Sequence, residues 1–215
     1  MRDDLAAWLR VRAQIRWQET TAPLTGPIRG RRDGIACLAG ARKPAVDPSR
    51  ADRLLAAWSS ARADAEAGRP LDFERLAAWQ RTVLGRQHLA FRDLPAFAKK
   101  GDERYGVDAG TPALFDAYLV QATAPSPAVP VAARAARLYL DVCFFHPFED
   151  GNGRSALLAL GYVLAREDIV LDEAAPLQVP RYADDVVGAR SLVRLVQTLA
   201  LATQRRAEPS SLERR

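Results

Sequence analysis

Two segments of this chain, Ala132 to Phe145 and Arg154 to Arg166, carry so few polar side chains that each must be surrounded by other parts of the protein if it is helical. The first is long and apolar, and it ends where Pro147 disfavours helical backbone angles for the residue before it, His146. The second is almost wholly Ala, Leu, Val, Tyr and Ser, and it belongs at the centre of a helical bundle. At 215 residues, with 48% hydrophobic and 27% charged side chains, the chain has the size of one globular domain, enough to bury about 70% of its unfolded surface.

Spacing of apolar residues predicts further helices around this pair. Leu5, Trp8, Leu9 and Ile15 fall at helical intervals in Asp4 to Gln18, with Trp8 and Leu9 facing the core. Leu54, Leu55 and Trp58 form a stripe in Pro48 to Glu66, which Gly68-Arg69-Pro70 stops. Asp72 is the expected N-cap of a helix from Phe73 to Leu84, with Phe73, Leu76, Ala77, Gln80 and Leu84 recurring at three and four. Thr111 as N-cap and Pro112 in the first turn introduce Ala113 to Ala122, and Ala183 to Thr203 forms the last helix. Thr123 to Pro130 is a rigid connector, Ile169 to Leu171 is too short to assign, and the tail from Gln204 is frayed. Gly85 to Gly110 has no sustained period. Within it, Leu89 to Ala98 is either a short hairpin that grips a partner or an ordinary surface connection. Without repeats or a second compositional regime, the chain reads as one mostly α-helical domain over residues 1–215.

A net charge of +5 and a pI near 9.6 raise nucleic acid as a partner. The arginines, however, are spread among aspartates and glutamates as on solvated helix faces, which disfavours a nucleic-acid footprint. The densest cluster, Arg29-Gly-Arg31-Arg32, is a short loop patch that suits a nucleotide or an acidic partner equally. Cys37 and Cys143 lack paired spacing and read as small packing residues in a reducing compartment. Met1 to Gln18 alternates charged and apolar residues, unlike a signal peptide, and no run approaches the ~20 apolar residues of a bilayer span. The expectation is a cytoplasmic protein with no membrane partner.

The two apolar helices are joined by His146-Pro-Phe148-Glu-Asp150-Gly151-Asn152-Gly153-Arg154, nine consecutive residues that hold most of the chain's recognisable chemistry. An imidazole titrates near neutrality and suits proton transfer, and a carboxylate oxygen suits hard Mg²⁺. Two glycines let backbone N–H groups close on phosphate oxygens. Arg154 stands where the chain turns helical, so its forked donor and a helix N-terminus address the same anion. The other histidine, His88, has no ligating residue at suitable spacing and reads as a surface residue, and Trp8, Trp17, Trp58 and Trp79 sit on helical stripes as core.

This stretch, between one apolar helix and another, resembles the core motif of the Fic family, His-x-Phe-x-Asp/Glu-Gly-Asn-Gly-Arg-x-x-Arg. The resemblance implies an all-α, Fic-like helical bundle with a short β-hairpin flap. A helical extension of about 1–69 would precede a core of about 70–203 and a tail of 204–215. It implies Mg²⁺-dependent transfer of AMP, or another nucleoside monophosphate, from a nucleotide to a Ser, Thr or Tyr hydroxyl of a target protein, with ATP the expected co-substrate. In those terms His146 is the catalytic base and Asp150 the metal ligand. Gly151, Asn152, Gly153 and Arg154 bind the nucleotide, and Phe148 anchors the loop in the core. The irregular region of residues 89–100 corresponds to a hairpin that clamps the target's main chain.

The match lacks its last element: Leu157 stands where the family has a second arginine. Losing a guanidinium from a phosphate site removes about 1.5–3 kcal/mol of charge-assisted interaction. Either another arginine replaces it, with Arg92, Arg166 and Arg181 as candidates, or the donor differs. Phosphate, UMP and phosphocholine are alternative groups, and a catalytically degenerate nucleotide- or protein-binding module is a third reading. The family's inhibitory Ser/Thr-x-x-x-Glu-Gly/Asn pattern is absent at Ser60 and at Thr203, so a relieved or partner-controlled enzyme is expected instead.

Overall fold

In a computed structural model, residues 2–40, 48–124 and 128–207 are described. Among them are eight α-helices: α1 (Asp4–Gln14), α2 (Gly34–Gly40), α3 (Pro48–Glu66), α4 (Phe73–Leu84), α5 (Thr111–Thr123), α6 (Val131–Phe145), α7 (Asn152–Ala165) and α8 (Val186–Ala207). Four short strands join them: β1 (Ile28–Arg29), β2 (Ala96–Ala98), β3 (Glu103–Tyr105) and β4 (Ile169–Val170). The fold is all-α, as the apolar periodicities require.

The two apolar segments lie against each other at the centre. α6 packs on α7, with α5, α8 and α1 on its other sides, and α7 is covered by α3 and α4. Every residue of α6 except Cys143 is buried, and so is α7 from Arg154 to Leu164. Gly161 permits the close approach of α3 to α7, because a Cβ there would come within 2.6 Å of the Trp58 ring and 2.5 Å of Ile35. Burying four indoles requires partners for their N–H groups. Trp8 donates to Asp141, Trp58 to Asp33 and Trp79 to Asp64, while Trp17 donates to the Arg12 carbonyl. Asp141, at 0% exposure, also accepts the forked guanidinium of Arg12, so this interior charge is paired.

Several boundaries differ from the sequence expectation for identifiable reasons. α1 stops at Gln14, because the Trp17 indole takes the Arg12 carbonyl and the chain continues as a 3-10 turn over Trp17–Glu19. Leu9 is only partly buried. The α5 N-cap is Gly110, and the Thr111 hydroxyl donates to Asp108 instead. α7 begins two residues early, so Asn152 and Gly153 are helical. α8 starts at Val186 and extends to Ala207; residues 208–215 of the expected tail, and 125–127 of the connector, lie outside the described residues. The hairpin forms from β2 and β3, antiparallel with Ala96 opposite Tyr105, and not over Leu89 to Ala98. Left-handed Lys99, Lys100 and Gly101 make its turn, while Phe91 packs against Phe73 and Phe115. α2 and the parallel pair β1–β4 are additions, too short to leave a periodic signal. α8 is long and apolar enough by length and composition to count as a membrane span, yet Leu192, Val193, Val196 and Ala200 are buried and the helix packs on α6. Cys37 is exposed, which corrects its expected packing role. In the basic loop, Arg29 pairs with Asp168, and Arg32 donates to the Asp172 carbonyl.

Candidate active site

His146 caps the C-terminus of α6 in the left-handed conformation, φ 49° and ψ 54°. That backbone costs a non-glycine residue about 1–2 kcal/mol, and it is held from outside by Arg92. The Arg92 guanidinium donates to the carbonyls of His146 (2.8 Å), Phe145 (3.0 Å), Gly106 (2.7 Å) and Leu94 (2.7 Å), and its backbone N–H bonds the Pro147 carbonyl at 3.0 Å. Arg92 therefore serves as a clamp, with four of its five guanidinium N–H groups given to backbone carbonyls. The imidazole is half-buried, with Nδ1 3.2 Å from the Cys143 carbonyl. A carbonyl can only accept, so Nδ1 carries the proton and Nε2 is the basic nitrogen. Burial holds the imidazole below its ordinary pKa.

Of the turn that follows, the carbonyls of Pro147, Phe148, Asp150 and Gly151 are bonded within the protein. Asn152 folds back on Phe148, donating to its carbonyl at 2.8 Å and accepting from its N–H at 3.0 Å. Gln80 of α4 donates to the Asp150 carbonyl at 2.7 Å and accepts the Ser155 hydroxyl at 2.7 Å. The Gly151 carbonyl accepts from Arg154 and Ser155. Phe148 is buried, stacked on Phe73 at 5.6 Å, and roots the turn in a cluster with Phe91, Phe115 and Phe145. Asn152 and Gly153 open α7, so their N–H groups lack an intrahelical carbonyl partner, and both residues line a cleft. Gly151, at φ 76°, sits where a Cβ would meet Gln80 Nε2 at 2.5 Å and Arg154 Nη2 at 2.9 Å.

Asp150 is two-thirds exposed; one oxygen accepts the Gly151 N–H at 2.6 Å and the other lies 3.2 Å from Arg154 Nη2. Arg154 itself is buried. Among the described residues no three His, Cys, Asp or Glu side chains cluster as a metal centre. The exposed Asp150 carboxylate, with Glu149 beside it at the cleft, fits Mg²⁺, which keeps waters and takes most of its ligands from phosphates.

These groups border a cleft of about 680 Å³ that brings together His146, Asp150, Gly151, Asn152, Gly153 and Arg154. Its walls add Arg50 from the first turn of α3 and Arg181 from the segment before α8. Of the three arginines considered as substitutes for the missing one, only Arg181 borders the cleft; Arg166 donates to the Arg69 carbonyl at the opposite end of α7. Leu157 is 2% exposed and packed in the core. Cys143 borders the cleft too, but burial pushes its thiol up to about 12, so it is no nucleophile at neutral pH. His88 is exposed, and all four tryptophans are core.

Sequence reasoning missed Gln80, Arg50 and the flap residues Glu103 and Tyr105, and it gave Arg92 a different role. The only signal was the position of Gln80 on the buried stripe of α4, where a polar residue needs a partner.

Residues 70–164 match the family model described as Fic/DOC family. A search of curated proteins returned no match. Among solved structures, the fold resembles a Fic domain-containing signaling protein from Bacteroides thetaiotaomicron, with TM-score 0.56 and 18% identity over 73% of this chain and 70% of that one. It also resembles IbpAFic2 in complex with adenylylated Cdc42, with TM-score 0.56 and 12% identity over 93% of this chain and 70% of that one. Fic-1 from C. elegans gives TM-score 0.54 and 15% identity over 95% of this chain and 70% of that one.

Proposed function

We propose, from the match of residues 70–164 to the Fic/DOC family, whose members transfer phosphate-containing groups to proteins, that this protein transfers AMP from ATP to a Ser, Thr or Tyr hydroxyl of a target protein. The observation that carries this reading is the division of the turn: the carbonyls of His146, Pro147, Phe148, Asp150 and Gly151 are bonded by Arg92, Asn152, Gln80 and the first turn of α7. Its free N–H groups share a cleft with a half-buried imidazole whose basic nitrogen is Nε2.

In this reaction His146 Nε2 takes the hydroxyl proton as the oxygen forms its bond to the α-phosphorus. The bond between that phosphorus and the bridging oxygen to the β-phosphate breaks, and pyrophosphate leaves. The N–H groups of Asn152 and Gly153 receive phosphate oxygens at the N-terminus of α7, and Arg154 opposes the charge of the leaving pyrophosphate. Asp150 would hold Mg²⁺, which when bound neutralises charge on the α- and β-phosphates. The target's main chain adds to β2. The outer edge of β3 is occupied, because Asp4 and Asp3 accept the N–H groups of Arg104 and Gly106, which leaves the β2 edge open beside exposed Leu94 and Phe97.

IbpAFic2 is seen with adenylylated Cdc42, which supports AMP as the transferred group and a protein as the acceptor. The buried Leu157 favours a second reading, in which a donor with fewer distal phosphates, such as CDP-choline, is used. Wild type and His146→Ala are incubated with cell lysate and α-labelled ATP, UTP or labelled CDP-choline, with Mg²⁺. Label on protein from ATP that disappears in His146→Ala is the expected result. Label only from another donor replaces AMP as the group, and label indifferent to His146 overturns the mechanism.

A further inference from the structure

Tyr105, the last residue of β3, lies flat against the His146 imidazole: the ring centroids are 4.7 Å apart and the planes differ by 9°. The tyrosine is 3% exposed, so its ring excludes water from one whole face of the imidazole. Its hydroxyl donates to Glu103 Oε2 at 2.5 Å, and Glu103 Oε1 accepts from Lys99 Nζ at 2.6 Å. Lys99 reaches further, donating to the Arg181 carbonyl at 3.2 Å and lying over the Tyr182 ring at 4.0 Å. Both backbones of the stack are tied to one group, since the Arg92 guanidinium holds the carbonyls of Gly106 and His146 together.

An imidazole has two side-chain torsions. The hydrogen bond from Nδ1 to Cys143 fixes one point of the ring and leaves it free to swing about that bond. The Tyr105 face removes the remaining freedom. We propose that Tyr105 is the positioning residue of His146, with the Glu103–Lys99 pair of the flap setting the tyrosine ring, so that the hairpin that receives the target also aims the base. The proposal rests on the transferase reading for its consequence in turnover, but the stack can be tested without turnover.

The groups that bear on the His146 charge are Tyr105 and Glu103 from β3, Lys99 from the hairpin turn, Arg92 from the preceding loop, Cys143 from α6 and Asp150 from the turn. Burial lowers the imidazole pKa, and the Glu103 charge works against that effect. Replacing Tyr105 by Ala admits water and moves the titration up. Replacing Glu103 by Gln keeps an acceptor for the phenol, removes the charge, and moves it down.

The chain has only two histidines, and the other, His88, is exposed, so the ring resonances of each can be followed by NMR with His146→Ala as the assignment control. In the wild type, His146 ring protons should lie upfield of those of His88 because they sit over an aromatic face; no upfield displacement overturns the stack. Tyr105→Phe, which keeps the ring but loses its hydrogen bond to Glu103, should retain an upfield displacement smaller than that of the wild type, with kcat between those of wild type and Tyr105→Ala. Tyr105→Ala should lose the displacement, raise the midpoint, and lower kcat at least tenfold with KM for the nucleotide unchanged. A folded Tyr105→Ala that titrates and turns over like wild type overturns the proposal, and if that variant does not fold, the wild-type displacement and the downward shift in Glu103→Gln still decide it. If the wild type shows the displacement but labels no protein with any donor, the transferase reading falls and the positioning geometry stands.

Discussion

Arg92 Nε donates to the His146 carbonyl at 2.8 Å, so a residue from the irregular loop before the flap fixes the backbone of the candidate base. The same guanidinium ties down three other carbonyls, and no lysine ammonium, with its compact single charge, can match that fork. Arg92→Ala is expected to destabilise the fold by about 3 kcal/mol or more, since several buried acceptors lose a charged donor. Arg92→Lys should fall between that variant and the wild type. Urea denaturation of the three proteins checks the order, and equal midpoints would show that the clamp does not hold the fold.

Asn152→Asp keeps the acceptor for the Phe148 N–H but cannot donate to the Phe148 carbonyl. Leaving that carbonyl unpaired should cost about 1–3 kcal/mol, and the added charge sits beside the phosphate pocket. The melting temperature should drop, and the rise produced by Mg-nucleotide in the wild type should vanish. A nucleotide-induced rise of wild-type size in this variant would remove Asn152 and its neighbours from the binding site.

Leu157→Arg restores the family's residue but places a guanidinium at a position now 2% exposed. An unpaired charge forced into a packed core costs several kcal/mol, about 3 or more. The variant should melt well below wild type and bind ATP no better. Tighter ATP binding, measured by calorimetry on a variant that remains folded, would show that this turn of α7 reaches the donor.

Because burial depresses the His146 pKa, the neutral base survives to lower pH than a free histidine allows. The acid limb of the transfer rate should have its midpoint below about 6.5, the ordinary histidine value. Stability follows the same sign: below about 6.5 the unfolded chain binds a proton that the folded site resists, so ΔG falls as pH drops through that window and the loss is complete below the folded pKa. His146→Gln should flatten this contribution in denaturation curves taken across pH 5 to 8, and a slope unchanged by that substitution would assign it to other groups.

The candidate site was legible where it is contiguous. His146 to Arg154 bring their own turn, because Pro147 ends one helix, Gly151 accepts a positive φ and Asn152 bonds back to Phe148 within five residues. The hairpin was displaced from 89–98 to 96–105 because strands of three residues are too short for an alternating pattern to register, and a left-handed Lys99-Lys100 turn has no sequence signature.

From its residue order alone the chain determines at short range which segments are helical, which two must lie innermost, and which nine residues gather the imidazole, carboxylate, amides and guanidinium, because backbone propensity and local capping act over that span. Tertiary structure alone decided what surrounds them. Gln80, Arg92, Tyr105 and Arg50 meet the turn from separate elements, and each has an ordinary local context. Their roles arise from packing α4, the flap and α3 around α6 and α7, and side-chain contacts of that range follow from how helices cross in space, which sequence spacing does not encode.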